Sequence, residues 1–298
     1  KKKKTLELEK SGKENAQMIV SSLGYGYIAT FLLKEIASNG VRCIGITSNQ
    51  KHLKKKNIEN ITIVPREMTI ASIKISTHLV VTAPPKNSNC PILKNYEKEI
   101  KDSNIRSIVY VSSTGVYGDH KGNWVDENST IKGKNELVNR NRIKAETSWS
   151  IFCKKNHIIL NIVRLGGIYG PCRPDLTKNI YKDIIIKKDH FFSRIHVFDI
   201  SRLIVKIIFN SNKNNLWNLV DELPTTRKNF IEQIIKLKNI KKYNFRNYED
   251  LKKSISSSKK KFWKANKKVS SKKVKRNFRY TFLFPSYLAG LKHTIKNC

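Results

Sequence analysis

The chain has 298 residues, enough for one large domain or for a larger domain with a smaller companion. Lys and Arg number 59 against 23 Asp and Glu, a formal charge of +36, and the 39% of hydrophobic residues gather in runs. Such clustering excludes a wholly disordered chain, no apolar stretch reaches the roughly 18–20 residues that span a bilayer, and Lys1–Lys4 lead into no apolar segment of the kind a secretory signal carries.

Residues 1–14 are polar and basic and read as a frayed tail. Met18-Ile19-Val20 is a short β-type run ending at Ser21-Ser22-Leu23. Gly24, Gly26 and Ala29 follow in G-x-G-x-x-A spacing, and Phe31, Leu32, Ile36 and Ala37 continue at helical intervals to the Asn39-Gly40 stop. Further strands are predicted at 41–46, 61–64, 78–82 (ahead of Pro84-Pro85), 107–111 and 158–163. Short apolar strands separated by helical stretches describe an α/β chain with a doubly wound parallel sheet, each strand covered on both faces. This places a dinucleotide-binding domain at 15–170. A smaller substrate-side region follows at 171–298, of which 196–221 is expected to pack back on the first domain. Within it the pattern predicts a helix at 199–209, a strand at 216–220 and a helix at 227–238. The lysine- and serine-dense stretch 252–275 reads as a solvated helix-loop region, and 278–291 regains enough apolar character to pack onto the body.

The glycine turn carries the clearest chemistry. Gly24 permits a tight bend, Gly26 lets the backbone approach a pyrophosphate, and Ala29 lets the helix lie close to the strand. The helix start beside Tyr25 and Tyr27 offers free N–H groups to anionic oxygen. An acid normally ends the second strand where a ribose 2′-hydroxyl is held. Here the sequence reads Thr47-Ser48-Asn49-Gln50-Lys51, and Ser48 with Lys51 suits a 2′-phosphate, so NADP is expected over NAD. Thr82 and Ala83, at the end of the fourth strand, complete the expected cofactor set on this side.

Three later segments carry a family likeness: Val111-Ser112-Ser113-Thr114-Gly115-Val116-Tyr117-Gly118, Arg164-Leu165-Gly166-Gly167-Ile168-Tyr169-Gly170-Pro171, and Arg194-Ile195-His196-Val197-Phe198-Asp199. In order and spacing, from about residue 16 to 291, they resemble the extended short-chain dehydrogenase/reductases, the NAD-dependent epimerase and dehydratase group. The resemblance implies that Ser113 hydrogen-bonds a substrate carbonyl or alcohol and that Tyr117 shapes the pocket floor. It also implies that Ser112, Gly167 and Tyr169 lie along the cofactor, and that His196 and Asp199 lock a domain junction. Arg173 and Arg194 are candidate anchors for a substrate phosphate.

The chain departs from that group at its proton relay, Tyr-x-x-x-Lys with a Glu four residues on. Anchored on Glu146, the lysine position holds Arg142 and the tyrosine position Val138, and no tyrosine occurs between Tyr117 and Tyr169. Arg142 can bind ribose but does not share a proton near neutral pH. His120, on the loop after the fifth strand, and Tyr117 are the substitute acids to consider. The likeness is therefore to the atypical branch that keeps the fold and cofactor site without the dyad.

Three functions stay open. One is an NADP-dependent oxidoreductase or epimerase on a nucleotide-linked or phosphorylated substrate; the second is a non-catalytic dinucleotide sensor or scaffold. The third is a nucleic-acid-associated protein using its basic surface. The charge supports the third only weakly, because Lys, Asn and Ile are all abundant, as A/T-biased codons would produce, though nonspecific nucleic-acid binding at low salt is expected. The five cysteines are odd in number, widely spaced and without a C-x-x-C pair, which argues against disulfides and metal and for a cytoplasmic setting. No membrane partner is expected, and a homodimer is one expectation.

Overall fold

The computed structural model describes residues 18–54, 58–86, 90–173, 183–256, 260 and 262–297. The basic tail expected at 1–14 lies outside the described residues. In chain order the strands and helices are β1 (Ile19–Leu23), α1 (Tyr27–Ala37), β2 (Arg42–Thr47), β3 (Ile61–Pro65), α2 (Thr69–Ile75), β4 (His78–Val81), α3 (Pro91–Lys101), β5 (Ser107–Ser113) and β6 (Trp124–Val125). They continue with α4 (Leu137–Lys155), β7 (Ile159–Leu165), β8 (Gly167–Tyr169), β9 (Asp183–Ile186), β10 (Phe191–Phe192), β11 (Arg194–His196), α5 (Val197–Asn210), β12 (Asn215–Leu219) and β13 (Thr225–Thr226). The last are α6 (Arg227–Leu237), β14 (Asn244–Asn247), β15 (Lys268–Val269), α7 (Lys272–Phe278) and α8 (Tyr287–Lys296).

Seven strands form one sheet in the order β12-β7-β5-β4-β1-β2-β3, the doubly wound arrangement expected from the sequence. The pairings of β1 with β2 and β4, of β2 with β3 and of β4 with β5 are all parallel. Val20, Leu23, Cys43, Leu79, Val80, Val81, Ile108 and Val109 are buried, as strands covered on both faces must be. The first strand runs from Ile19 through Leu23 and so includes Ser21 and Ser22. Ser21 and Ser22 are fully buried but satisfied locally: Ser21 Oγ lies 2.7 Å from Ser76 Oγ, and Ser22 Oγ donates to the Gly24 carbonyl at 3.0 Å. Polar residues there do not break the strand because each hydroxyl has a partner.

The fold divides into two compact units. Of the described residues, one gathers those up to 111 with 144–162 and 201–215, and the other those within 112–143, 163–200 and from 216 on. The second unit thus draws in the loops after β5 and β7 as well as the C-terminal third. Its interior has an aromatic and aliphatic cluster of Tyr169, Ile184, Phe230, Ile231, Ile234 and Leu291, and a second around Val116, Tyr117, Val125, Val220 and Val269. Asp199, fully buried, accepts hydrogen bonds from Tyr280 Oη at 2.7 Å, Leu283 N at 2.8 Å and Phe284 N at 3.0 Å, and so ties down the returning segment. No helix among the described residues is long and apolar enough to cross a membrane.

Candidate functional site

Strand order reverses at β1: the chain builds β2 and β3 on one side of it, then returns to place β4 on the other. Ligands in open α/β sheets bind in the crevice outside the strand ends at such a point. Gly24 sits there with φ +115°, and a Cβ at this position would lie 2.7 Å from Thr82 Oγ1, so only glycine fits. Thr82 Oγ1 donates to the Gly24 carbonyl at 2.5 Å, and the Thr82 and Ala83 amides both reach the Leu23 carbonyl, at 3.2 and 3.1 Å. This fixes the bend against the end of β4. Gly26 is different: its backbone is extended, it is exposed, and an added Cβ would meet nothing within 4 Å. Protein packing therefore does not explain that glycine, which stands at the start of α1.

The neighbouring tyrosines divide the work. Tyr25 is buried, its ring against Gly45 and edge-on to His52 at 5.3 Å, so its side chain floors β2 and only its backbone stays with the turn. Tyr27 is half-buried and edge-on to Phe31. Ala29 is fully buried under α1. Beyond β2, Ser48 and Lys51 are exposed, and Asn49 Oδ1 accepts from the Lys51 amide at 3.0 Å to start a one-turn helix at Gln50. No carboxylate occurs in the stretch from Thr47 to Leu53.

A separate cavity of about 480 Å³ lies within the second unit. Ser113, Thr114 and Gly115 line it at the end of β5, Gly166 and Gly167 after β7, and Phe192, Arg194, Arg227, Phe230, Phe262 and Lys267 form further walls. Ser113 Oγ accepts from the Gly115 amide at 3.1 Å, which leaves its proton available to a ligand. The Arg194 guanidinium stacks 3.9 Å from the Phe230 ring centroid and donates to the Phe192 and Thr225 carbonyls at 3.3 and 3.4 Å. Burial lowers Arg194 to about 10 and Lys267 to about 8. Beside Arg194, Asp221 has its carboxyl pushed up to about 8 by burial.

Several predicted site residues lie elsewhere. Tyr117 does not line the cavity: it is fully buried, donates to Asn218 Oδ1 at 2.8 Å and lies beneath the Arg164 guanidinium at 4.8 Å. Burial raises its hydroxyl pKa, which makes it a poorer proton donor still. His120 is bound into its own loop, Nε2 lying 3.1 Å from the Thr130 carbonyl oxygen, and is not a wall residue either. Tyr169 is 1% exposed and packs edge-on to His196, inside the aromatic cluster and not along an open surface. Ser112 is buried at the strand end, while Arg142 and Arg173 are half-buried and line no part of this cavity. His196 and Asp199 are both fully buried.

The tyrosine register also resolves differently. Val138 is 67% exposed, whereas its neighbour Asn139 lines the cavity over Gly115. The residue that α4 presents there is an amide. Arg227, Lys267 and Asn139 were beyond sequence reasoning: two are basic residues in a basic chain, and the third is one helical position away from the expected one.

No protein-family model matches the chain, and no curated protein matches it. Among solved structures, a functionally unknown conserved protein from Silicibacter pomeroyi superposes with a TM-score of 0.85 at 27% identity, covering 94% of this chain and 98% of that one. UDP-glucuronic acid 4-epimerase from Bacillus cereus, in complex with NAD, gives 0.75 at 15% identity over 94% and 96%. The human epimerase family protein SDR39U1, with NADPH, gives 0.71 at 15% over 94% and 100%. The chain shares the Rossmann-type fold of these structures.

Proposed function

We propose that the chain is an NADP-binding oxidoreductase or epimerase/dehydratase of atypical design, acting on a nucleotide-linked or phosphorylated substrate. The observation that carries the reading is the pair of glycines at the sheet's switch point. One is forced by its left-handed backbone, and the other is left open with no steric reason of the protein's own. The Gly24–Ala29 turn would hold the diphosphate through backbone N–H groups, and Ser48 with Lys51 the 2′-phosphate. When bound, such a cofactor supplies hydride acceptance and return. The chain's own contribution is at the cavity: Ser113 donates a hydrogen bond to a substrate oxygen, Asn139 offers an amide beside it, and Arg194 anchors an anionic substituent.

A second reading, a non-catalytic dinucleotide sensor, draws support from the exposed Val138 at the tyrosine position. The test is a fluorescence titration with NADPH and NADH, followed by a search for turnover on phosphorylated sugars. Tighter binding of NADPH by about fivefold or more, lost in Lys51→Ala, supports the NADP assignment; equal or tighter binding of NADH overturns it. Saturable NADPH binding with no turnover on any such compound transfers the protein to the sensor reading.

A further inference from the structure

Arg194, Arg227 and Lys267 converge on one cavity whose walls hold no Asp or Glu. Among the described residues no ion pair or hydrogen bond reaches the Lys267 ammonium or the Arg227 side chain, and Arg227 Nε is buried without a partner. Arg194 donates to carbonyls, lies against aromatic faces and has one carboxyl nearby, that of Asp221, which burial pushes up to about 8. All three are half-buried, and the carboxyls of Asp221 and Asp119 that act on Arg194 and Lys267 do not line the cavity. Three cations thus share it with no acid on its walls, a gathering that costs stability.

Their placement by the backbone is equally specific. Lys267 and Val269 line the cavity, while Lys268, between them, turns its ammonium toward the Trp124 and Phe191 rings, the alternation a strand imposes. Arg227 opens α6 directly after the Thr226 cap, at a helix end where the backbone dipole disfavours positive charge. A cation held there against its dipole makes sense opposite an anion. Ser113, the residue expected to touch the reacting oxygen, lines the same cavity of about 480 Å³. The anion is therefore held close to the reacting end of the ligand and not at a remote nucleotide.

We propose that this cavity is a cradle for a small organic dianion, a phosphate monoester or a dicarboxylate, gripped by Arg194, Arg227 and Lys267 beside Ser113, with its carbon skeleton against Phe192 and Phe230. That this dianion is the substrate rests on the dinucleotide reading above; its binding does not. The lowered pKa of Lys267 fits a site awaiting negative charge.

The experiment is calorimetry at low ionic strength with inorganic phosphate and with succinate as separate probes. It is run on the wild-type chain, Arg227→Gln, Lys267→Met and a surface control, Lys272→Met, with NADPH titrated in parallel. Saturable binding of at least one probe is expected, weakened about tenfold or more in R227Q and K267M and within twofold of wild type in K272M, with NADPH affinity unchanged throughout. Phosphate alone binding assigns the ester, and succinate alone the dicarboxylate. Because unpaired cations are being removed, R227Q and K267M should also melt higher than wild type without ligand. Failure of both probes to bind folded wild-type chain, undiminished binding in both variants, or lower melting temperatures overturns the cradle. Probe binding without NADPH binding keeps the cradle and removes the dinucleotide reading, and the reverse removes the cradle alone.

Discussion

Tyr117 shows how a residue inside a recognisable motif can do structural work. The strand-end segment Ser112–Gly118 matches a catalytic-site pattern, yet here the phenol is sealed in the core against Asn218 and Arg164. Tyr117→Phe should lower stability by about 1–3 kcal/mol, because the Asn218 oxygen loses its donor. It should leave cofactor affinity untouched, which calorimetry and thermal melts together can check; a loss of NADPH binding would return Tyr117 to the site. Ser113 and Arg194 were legible as site candidates because they sit in motifs with a fixed order. Arg227 and Lys267 were not, since 59 basic residues hide two that converge in space and not in sequence.

At the level of elements, strand positions were readable because each central strand is a run buried on both faces, and the helices at Val197–Asn210 and Arg227–Leu237 fell close to their predicted spans. The stretch 252–275 was read as solvated. Its described part instead contributes Phe262 and Lys267 to the cavity, and β15 pairs with β6. Its lysines face both ways: Lys268 covers aromatic rings and Lys267 enters the cavity, which composition cannot distinguish. The C-terminal segment was expected to pack back, and Asp199 does the holding. Asp199→Ala should cost roughly 3–5 kcal/mol, since it strands three donors in a buried site. Hydrogen exchange should then quicken at the Leu283 and Phe284 amides. Unchanged protection there would contradict the anchoring role.

For the whole molecule, buried titrating groups set the response to acid. Burial holds His78 down to about 4, His190 to about 4 and His196 to about 3, with nearby Arg106, Lys187 and His293 adding to the respective shifts. The unfolded chain therefore binds more protons than the folded one from about pH 6.5 down to about pH 4, so stability falls on acidification. Asp221, pushed up to about 8 by burial, and Glu127, also raised by burial, act in the opposite direction, two groups against three. Melting temperature should be lower near pH 4.5 than near pH 6.5, and a rise on acidification would contradict the burial of these histidines. With a formal charge of +36, any affinity for an anion should be larger at low salt than at physiological salt. The account turns on the open glycine at the switch point. Its most direct test is calorimetric titration of NADPH into wild-type chain and Gly26→Ala, whose added Cβ meets nothing within 4 Å in the folded protein. The account predicts an unchanged melting temperature with binding lost by tenfold or more; equal affinity in the two proteins, or no saturable heat in either, would contradict it.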